Sequence, residues 1–241
     1  MSTARKLYEV HGLLRGTVVE RPNRFVLEVE DPHRRHLLCH LHDSGRLPQL
    51  AVRGRTVYYL VRPKPSRKTS CDIVAFEYSG IVVLGDSRFP NTIFEKLVKD
   101  LYGEDAEYSR EVSILGSRID FVVTTSRGTR VVEVKGCTLV RNGTCLFPDA
   151  PSDRAVRHIE TLYRVSRSLN AIGEVVFIAM RSDAQVVMPN TSIHRVFSHK
   201  LCSYIGTIEV NAYKVVNRVV ESRDSYTLEV FYGGSIPFKC P

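Results

Sequence analysis

The run Ser117-Arg118-Ile119-Asp120-Phe121, followed by Val132-Glu133-Val134-Lys135, constrains the fold more than any other part of the chain. Alternate side chains of a strand share a face. Glu133 and Lys135 therefore point one way, and Val132 and Val134 point the other way into a core. Ile119 and Phe121 are expected on a common face, with Asp120 opposite them. Pairing of the two strands through Ser126-Arg127-Gly128 sets Asp120 beside Glu133. Two carboxylates and a lysine on one sheet face can hold a divalent metal near a phosphodiester, because Mg²⁺ takes hard oxygen ligands, commonly one or two carboxylates. The competing reading leaves both carboxylates solvated on a half-buried strand, with Lys135 as their ion partner.

The flanking periodicity sets the context of these strands. A helix over 91–102 carries Ile93, Phe94, Leu97, Val98 and Leu101 on one stripe. A second, over about 153–170, carries Val156, Ile159, Leu162, Tyr163 and Leu169, and a buried strand over 175–180 follows it. The order helix, three strands, helix, strand resembles the core of the PD-(D/E)xK nuclease superfamily. The D…ExK residues fall where that pattern has them.

Further blocks narrow the resemblance. They are His40 with Gly45-Arg46-Leu47, Arg67-Lys68-Thr69, Pro90-Asn91, the Asp120 and Glu133 strands with Thr138-Leu139, and Phe147-Pro148-Asp149-Ala150. In this order, over roughly 10–240, they resemble the sugar fermentation stimulation protein (SfsA) family. The chain departs from its pattern in three places: His42-Asp43-Ser44 before Gly45, Gly136-Cys137 after Lys135, and Met180 where a glutamine is common. The resemblance implies an α+β, mixed α/β chain with DNA-binding character. An N-terminal OB-like β-barrel, 1–85, would precede a PD-(D/E)xK nuclease-like αβββαβ domain, 86–241.

The residues read as strands up to about 84: 13–20, 25–30, 37–41, 56–61, 72–77 and 80–84, separated by Pro, Asn, Asp and Gly turns. Short strands without a helix suit a small barrel. Tyr58, Tyr59 and Phe76 are either stacking platforms for bases or core residues. The stretch 62–69 is a basic, proline-stiffened loop, and its Lys64, Arg67 and Lys68 are candidate phosphate contacts, as is Arg46. A third helix is expected over 191–205, ending at Gly206, then strands over 207–216 and 225–231, with 233–235 loose.

A net charge of +8 suits a polyanionic partner, since each neutralised phosphate releases counterions. No apolar run reaches the ~18 residues of a membrane span, and the first residues lack a signal peptide's apolar core, so a cytoplasmic protein is the default. The six cysteines form no C-x-x-C pair, which argues against structural zinc. Most are expected to be buried small hydrophobes. Cys137 and Cys145 flank a hairpin at 141–143 and could form a disulfide if the source were a hyperthermophile, an idea that two glutamines in 241 residues also fit.

Asp120, Glu133, Lys135 and Glu95 are the candidate catalytic residues, with Asp120 and Glu133 as ligands of Mg²⁺ or Mn²⁺. Glu95 is either a third acidic residue or the end of a Thr92-x-x-Glu95 capping box. Asn91, Asp149 and Arg118 are further candidates; Asn91 could instead cap the helix, and Arg118 could instead bridge a neighbouring carboxylate. Arg154, Arg157 and His158 open the second helix on its polar side and are candidate DNA contacts, against the helix dipole. The leading expectation is a metal-dependent deoxyribonuclease binding DNA largely without sequence preference, with a homodimer as a candidate assembly. The alternatives are a non-catalytic DNA-binding regulator of sugar metabolism that keeps the nuclease fold, and a module for RNA or a sugar nucleotide.

Overall fold

Alternating apolar residues in the first 85 positions form six strands in the computed structural model, which describes residues 5–62 and 67–241. They are β1 (Lys6–Asn23), β2 (Val26–Glu30), β3 (His36–His40), β4 (Thr56–Val61), β5 (Cys71–Tyr78) and β6 (Ile81–Leu84). Strand β1 pairs with β2 and with β4, β2 pairs with β3, and β4 pairs with β5. A short parallel contact between β3 and β5, Cys39 with Cys71 and His40 with Asp72, closes the ring. This is the expected OB-like barrel, and closure leaves these strands no free edge at the seam. The barrel interior is Val18, Leu27, Val29, Leu41, Val57, Tyr59, Ile73 and Phe76. Tyr58, Tyr59 and Phe76 are buried, so they belong to the core and cannot stack on bases. A Cys39–Cys71 disulfide, with Cα atoms 4.4 Å apart, staples the two-residue seam.

The second unit begins with α1 (Phe89–Tyr102), then β7 (Glu107–Ile114), β8 (Ser117–Thr125) and β9 (Gly128–Cys137). A small hairpin, β10 (Val140–Arg141) and β11 (Thr144–Phe147), leads to α2 (Asp153–Ser168) and β12 (Ile172–Ala179). Strand β13 (Val186–Pro189), α3 (Arg195–Tyr204) and β14 (Glu209–Glu221) follow. The order β7-β8-β9-β12-β14 makes a mixed sheet, antiparallel from β7 to β9 and parallel between β9 and β12. Helix α2 is capped by the Ser152 side chain, which accepts from the Ala155 amide, and it carries Asp153 in its first turn and Arg167 in its last. Its Ile159, Leu162 and Val165 bury against Val175 and Phe177 of β12. Helix α3 starts at Arg195 rather than 191, because 191–194 form a turn whose Ile193 and His194 amides bond Asn190 O.

The last strand, β15 (Tyr226–Ser235), pairs antiparallel with the first half of β1, Lys6 with Phe231 through Leu13 with Tyr226. The first unit therefore comprises residues 1–89, 180–183 and 214–234, and the second 90–179, 184–213 and 235–241. The expected single cut near residue 85 is corrected accordingly: the chain returns to its first unit because β1 extends seven residues further towards the N-terminus than the 13–20 pattern, and that extension needs a partner. Residues 233–235 are strand, not a loose end. Beyond them Phe238 bridges Val187 and Cys240 joins Cys202 of α3. With Cys137–Cys145 all six cysteines are paired, which replaces the expectation of mostly free, buried thiols.

Candidate metal centre

The β8–β9 hairpin turns at Ser126-Arg127 with Thr125 opposite Gly128, and its register runs back to Phe121 opposite Val132. There the ladder stops. The Val134 amide donates instead to the Asp120 carboxylate, Oδ2 at 2.9 Å. On the other edge of β8, Glu111 has a left-handed φ of 56° and interrupts the pairing opposite Asp120. The break rotates the strand. Phe121 packs on Phe94 of α1 at 4.8 Å between ring centroids, whereas Ile119 joins the core cluster of α2. The expectation that Ile119 and Phe121 share a face is thus corrected, and the irregularity is what turns the Asp120 carboxylate to the strand end. Asn91 of α1 donates to its Oδ1 at 3.1 Å.

Strand β9 keeps its alternation. Glu133 and Lys135 share the face towards α2, and Val132 and Val134 are buried on the other. Glu133 is only 1% exposed, which removes the solvated-strand alternative for it. Its Oε1 accepts from Lys135 Nζ and from His158 Nδ1. Its Oε2 is buried and has no hydrogen-bond partner among the described residues. Burial drives the Glu133 carboxyl upward, but the Lys135 charge and the His158 contact outweigh it and hold the group below the usual carboxylate range. Asp120 moves the other way: burial raises it first, and the charge of Glu133 adds to that.

His158 is buried in the apolar stripe of α2 beside Ala155, Ile159 and Leu162. Arg154 Nε donates to its Nε2 at 3.3 Å. A guanidinium cannot accept, so Nε2 carries the lone pair and Nδ1 the proton given to Glu133. The expected DNA contact by His158 is corrected: its imidazole orients Glu133 from inside the protein. The signal was present in the sequence, since position 158 lies within the helical spacing of Ala155, Ile159 and Leu162.

The other candidates separate. Glu95 accepts from Tyr108 Oη at 2.6 Å and Arg110 at 3.0 Å, on β7. Helix α1 starts at Phe89, so Thr92 lies within it and is not an N-cap. Arg118 is exposed and paired with Glu111, as its alternative reading had it. Asp149 is half-buried in the loop after the cis Phe147–Pro148 bond. Arg157 is exposed on α2. In the first unit, Arg67 is tied to the buried Asp72 at 2.6 Å, and Lys68 and Arg46 are exposed. Lys64 lies outside the described residues.

The donor set fits a hard divalent cation. Glu133 keeps one buried carboxylate oxygen unpartnered, and beside it Asp120 is raised by burial and then by the Glu133 charge, an arrangement that a cation would relieve. Among the described residues no three His, Cys, Asp or Glu side chains form a cage, so any ion here would complete its shell with backbone, water or substrate oxygens, the habit of Mg²⁺. No helix among the described residues is long and apolar enough to cross a membrane.

Comparisons with known proteins agree with this architecture. The family model for the sugar fermentation stimulation protein RE domain matches residues 88–219, and that for the SfsA N-terminal OB domain matches 19–84. A sugar fermentation stimulation protein homolog of Methanothermobacter thermautotrophicus is 38% identical over 193 residues, 78% of this chain and 79% of that one. The homolog of Saccharolobus solfataricus is 36% identical over 194 residues, 80% of this chain and 72% of the other. The solved structure of Pyrococcus furiosus SfsA in complex with Ca²⁺ superposes with a TM-score of 0.84 at 27% identity, covering 98% of this chain and all of that one. A barrel model and an RE-domain model in series, and relatives matched over most of their length, make this chain a member of the sugar fermentation stimulation protein family.

Proposed function

We propose that this protein binds DNA largely through phosphates and hydrolyses phosphodiester bonds at a divalent-metal centre on β8 and β9. The observation that carries the proposal is the buried, unpartnered Oε2 of Glu133 beside a carboxylate whose ionisation it opposes. Asp120, Glu133 and the Val134 carbonyl would hold Mg²⁺ or Mn²⁺, and the Ca²⁺ of the Pyrococcus furiosus relative supports a hard cation in the family. Such an ion lowers the pKa of a bound water and polarises a phosphoryl oxygen. Around it, the Val134 amide and Asn91 fix the Asp120 carboxylate, and His158 fixes Glu133. Lys135 holds a positive charge next to Glu133, where it can stabilise negative charge developing on a phosphate.

A second reading, a DNA-binding regulator that keeps the fold without cleaving, draws support from two contacts. Lys135 is ion-paired with Glu133, and Glu95 is occupied by Tyr108 and Arg110 instead of adding a third carboxylate. The deciding experiment incubates circular and single-stranded DNA with the protein and Mg²⁺, Mn²⁺ or chelator, beside Asp120→Asn. Metal-dependent nicking lost in the variant supports the nuclease. DNA binding that is indifferent to chelation, with no fragments, supports the regulator.

A further inference from the structure

Beyond the metal centre along α2 lies a surface cleft of about 470 Å³ that the reading above does not use. Its floor is the hydrogen bond between Ser117 and Thr161 hydroxyls, 2.8 Å. Arg157 and Arg164 stand on either side of Thr161 on the same face of α2, and seven residues of helix separate them by about 10.5 Å. Unlike Arg110, Arg118 and Arg130, neither has a carboxylate partner among the described residues. The one acidic residue of the lining, Glu160, is neutralised by Lys200. The far wall is aromatic: Tyr163 of α2 and Tyr204 of α3 stack at 4.2 Å between centroids. At the rim Leu115 is 44% exposed and held at a left-handed φ of 48°, a conformation costly for a leucine.

We propose that this cleft binds one unpaired nucleotide of a DNA strand, its flanking phosphates on Arg157 and Arg164 and its base against the Tyr204–Tyr163 stack and Leu115. The charge excess selects a polyanion, and two unpaired guanidinium groups suit phosphate oxygens. The shape selects an unpaired base. A cleft of this volume takes a group the size of a single base, whereas the bases of a duplex are stacked and paired inside it. Aromatic faces hold any base by stacking, so the site reads strandedness and not sequence. The proposal takes DNA as partner from the nuclease reading but does not depend on metal or cleavage.

The test is anisotropy of a fluorescent single-stranded dT oligonucleotide and of a hairpin duplex with the full chain in chelator. Arg157→Ala/Arg164→Ala and Tyr204→Leu are compared with wild type, and thermal melts check their fold. The double variant should lose on the order of tenfold in single-strand affinity and about 1.4 from the salt slope, two phosphates at about 0.7 each. Tyr204→Leu should weaken the single strand by roughly tenfold and leave the duplex within about twofold. A double variant that binds the single strand like wild type overturns the proposal. So does an equal loss for strand and duplex, or wild-type protein that prefers the duplex. Because no metal is present, these outcomes leave the nicking experiment to decide the metal centre by itself.

Discussion

Replacing His158 by alanine removes the proton donor that faces Glu133 inside the protein. Both side chains are almost fully buried, 5% and 2% exposed, so water cannot take over the contact. A hydrogen bond to a buried charge contributes about 1.5–3 kcal/mol, and the void left by the ring adds roughly 1–2 kcal/mol. The sum is about 3–5 kcal/mol. For a chain of 241 residues, near the upper end of the size range where 1 kcal/mol shifts a melt by about 2–4 °C, this lowers the midpoint by roughly 6–20 °C. His158→Asn keeps an N–H at the position of Nδ1 and should recover about half of the loss. The assay is a thermal melt in chelator at pH 7, run as a double-mutant cycle with Glu133→Gln. Coupling of more than about 1 kcal/mol is expected, because the two groups touch. Additive effects, or an unchanged His158→Ala melt, would refute the contact as the source of the stability.

Burial and Glu133 hold the Asp120 carboxyl above its ordinary value, so the folded protein binds that proton more tightly than the unfolded chain. Stability in chelator should therefore fall as pH rises from the ordinary carboxylate range to the folded value, and stay reduced above it. Asp120→Asn should melt higher than wild type at pH 7 in chelator, and Mn²⁺ at about a hundred times its dissociation constant should add ~2.7 kcal/mol to wild type alone; a variant melting lower contradicts this. Arg130 bonds the fully buried Glu174 at 2.9 Å, so Arg130→Ala should cost about 3–5 kcal/mol by urea unfolding and Glu174→Gln should rescue it. Cys39→Ser/Cys71→Ser opens a loop with a sequence separation of 32 and should lower stability by about 3–4 kcal/mol, read from denaturation without reductant.

The placing of Glu133 and Lys135 on one face was legible because β9 obeys the period of two. Val132, Glu133, Val134 and Lys135 alternate in the structure as they alternate in the sequence. The barrel was legible for the same reason. The turn of Asp120 was not, because it depends on a ladder broken between β7 and β8, and no residue pattern encodes a broken ladder. The capping-box reading of Thr92-x-x-Glu95 failed because the helix already begins at Phe89, where the Phe89 and Arg88 amides bond Asp86. His158 was taken for a surface residue by chemistry although its spacing was that of the core. The disulfides Cys39–Cys71 and Cys202–Cys240, separated by 32 and 38 residues, depend on a barrel seam and a returning tail, neither visible locally.

The pairing of β1 with β15 has a consequence for biosynthesis. Residues Lys6 to Leu13 leave the ribosome well before their partners Tyr226 to Phe231. At about 5–20 residues per second, the gap between completing β6 at Leu84 and reaching Phe231 is roughly 7–30 s. Throughout that interval one long strand presents unsatisfied amides and carbonyls, a template for intermolecular pairing. The nascent barrel thus has a window of vulnerability that the finished protein lacks. A gene fragment ending at residue 85 would make that window permanent, yielding a barrel with a sticky edge prone to aggregate.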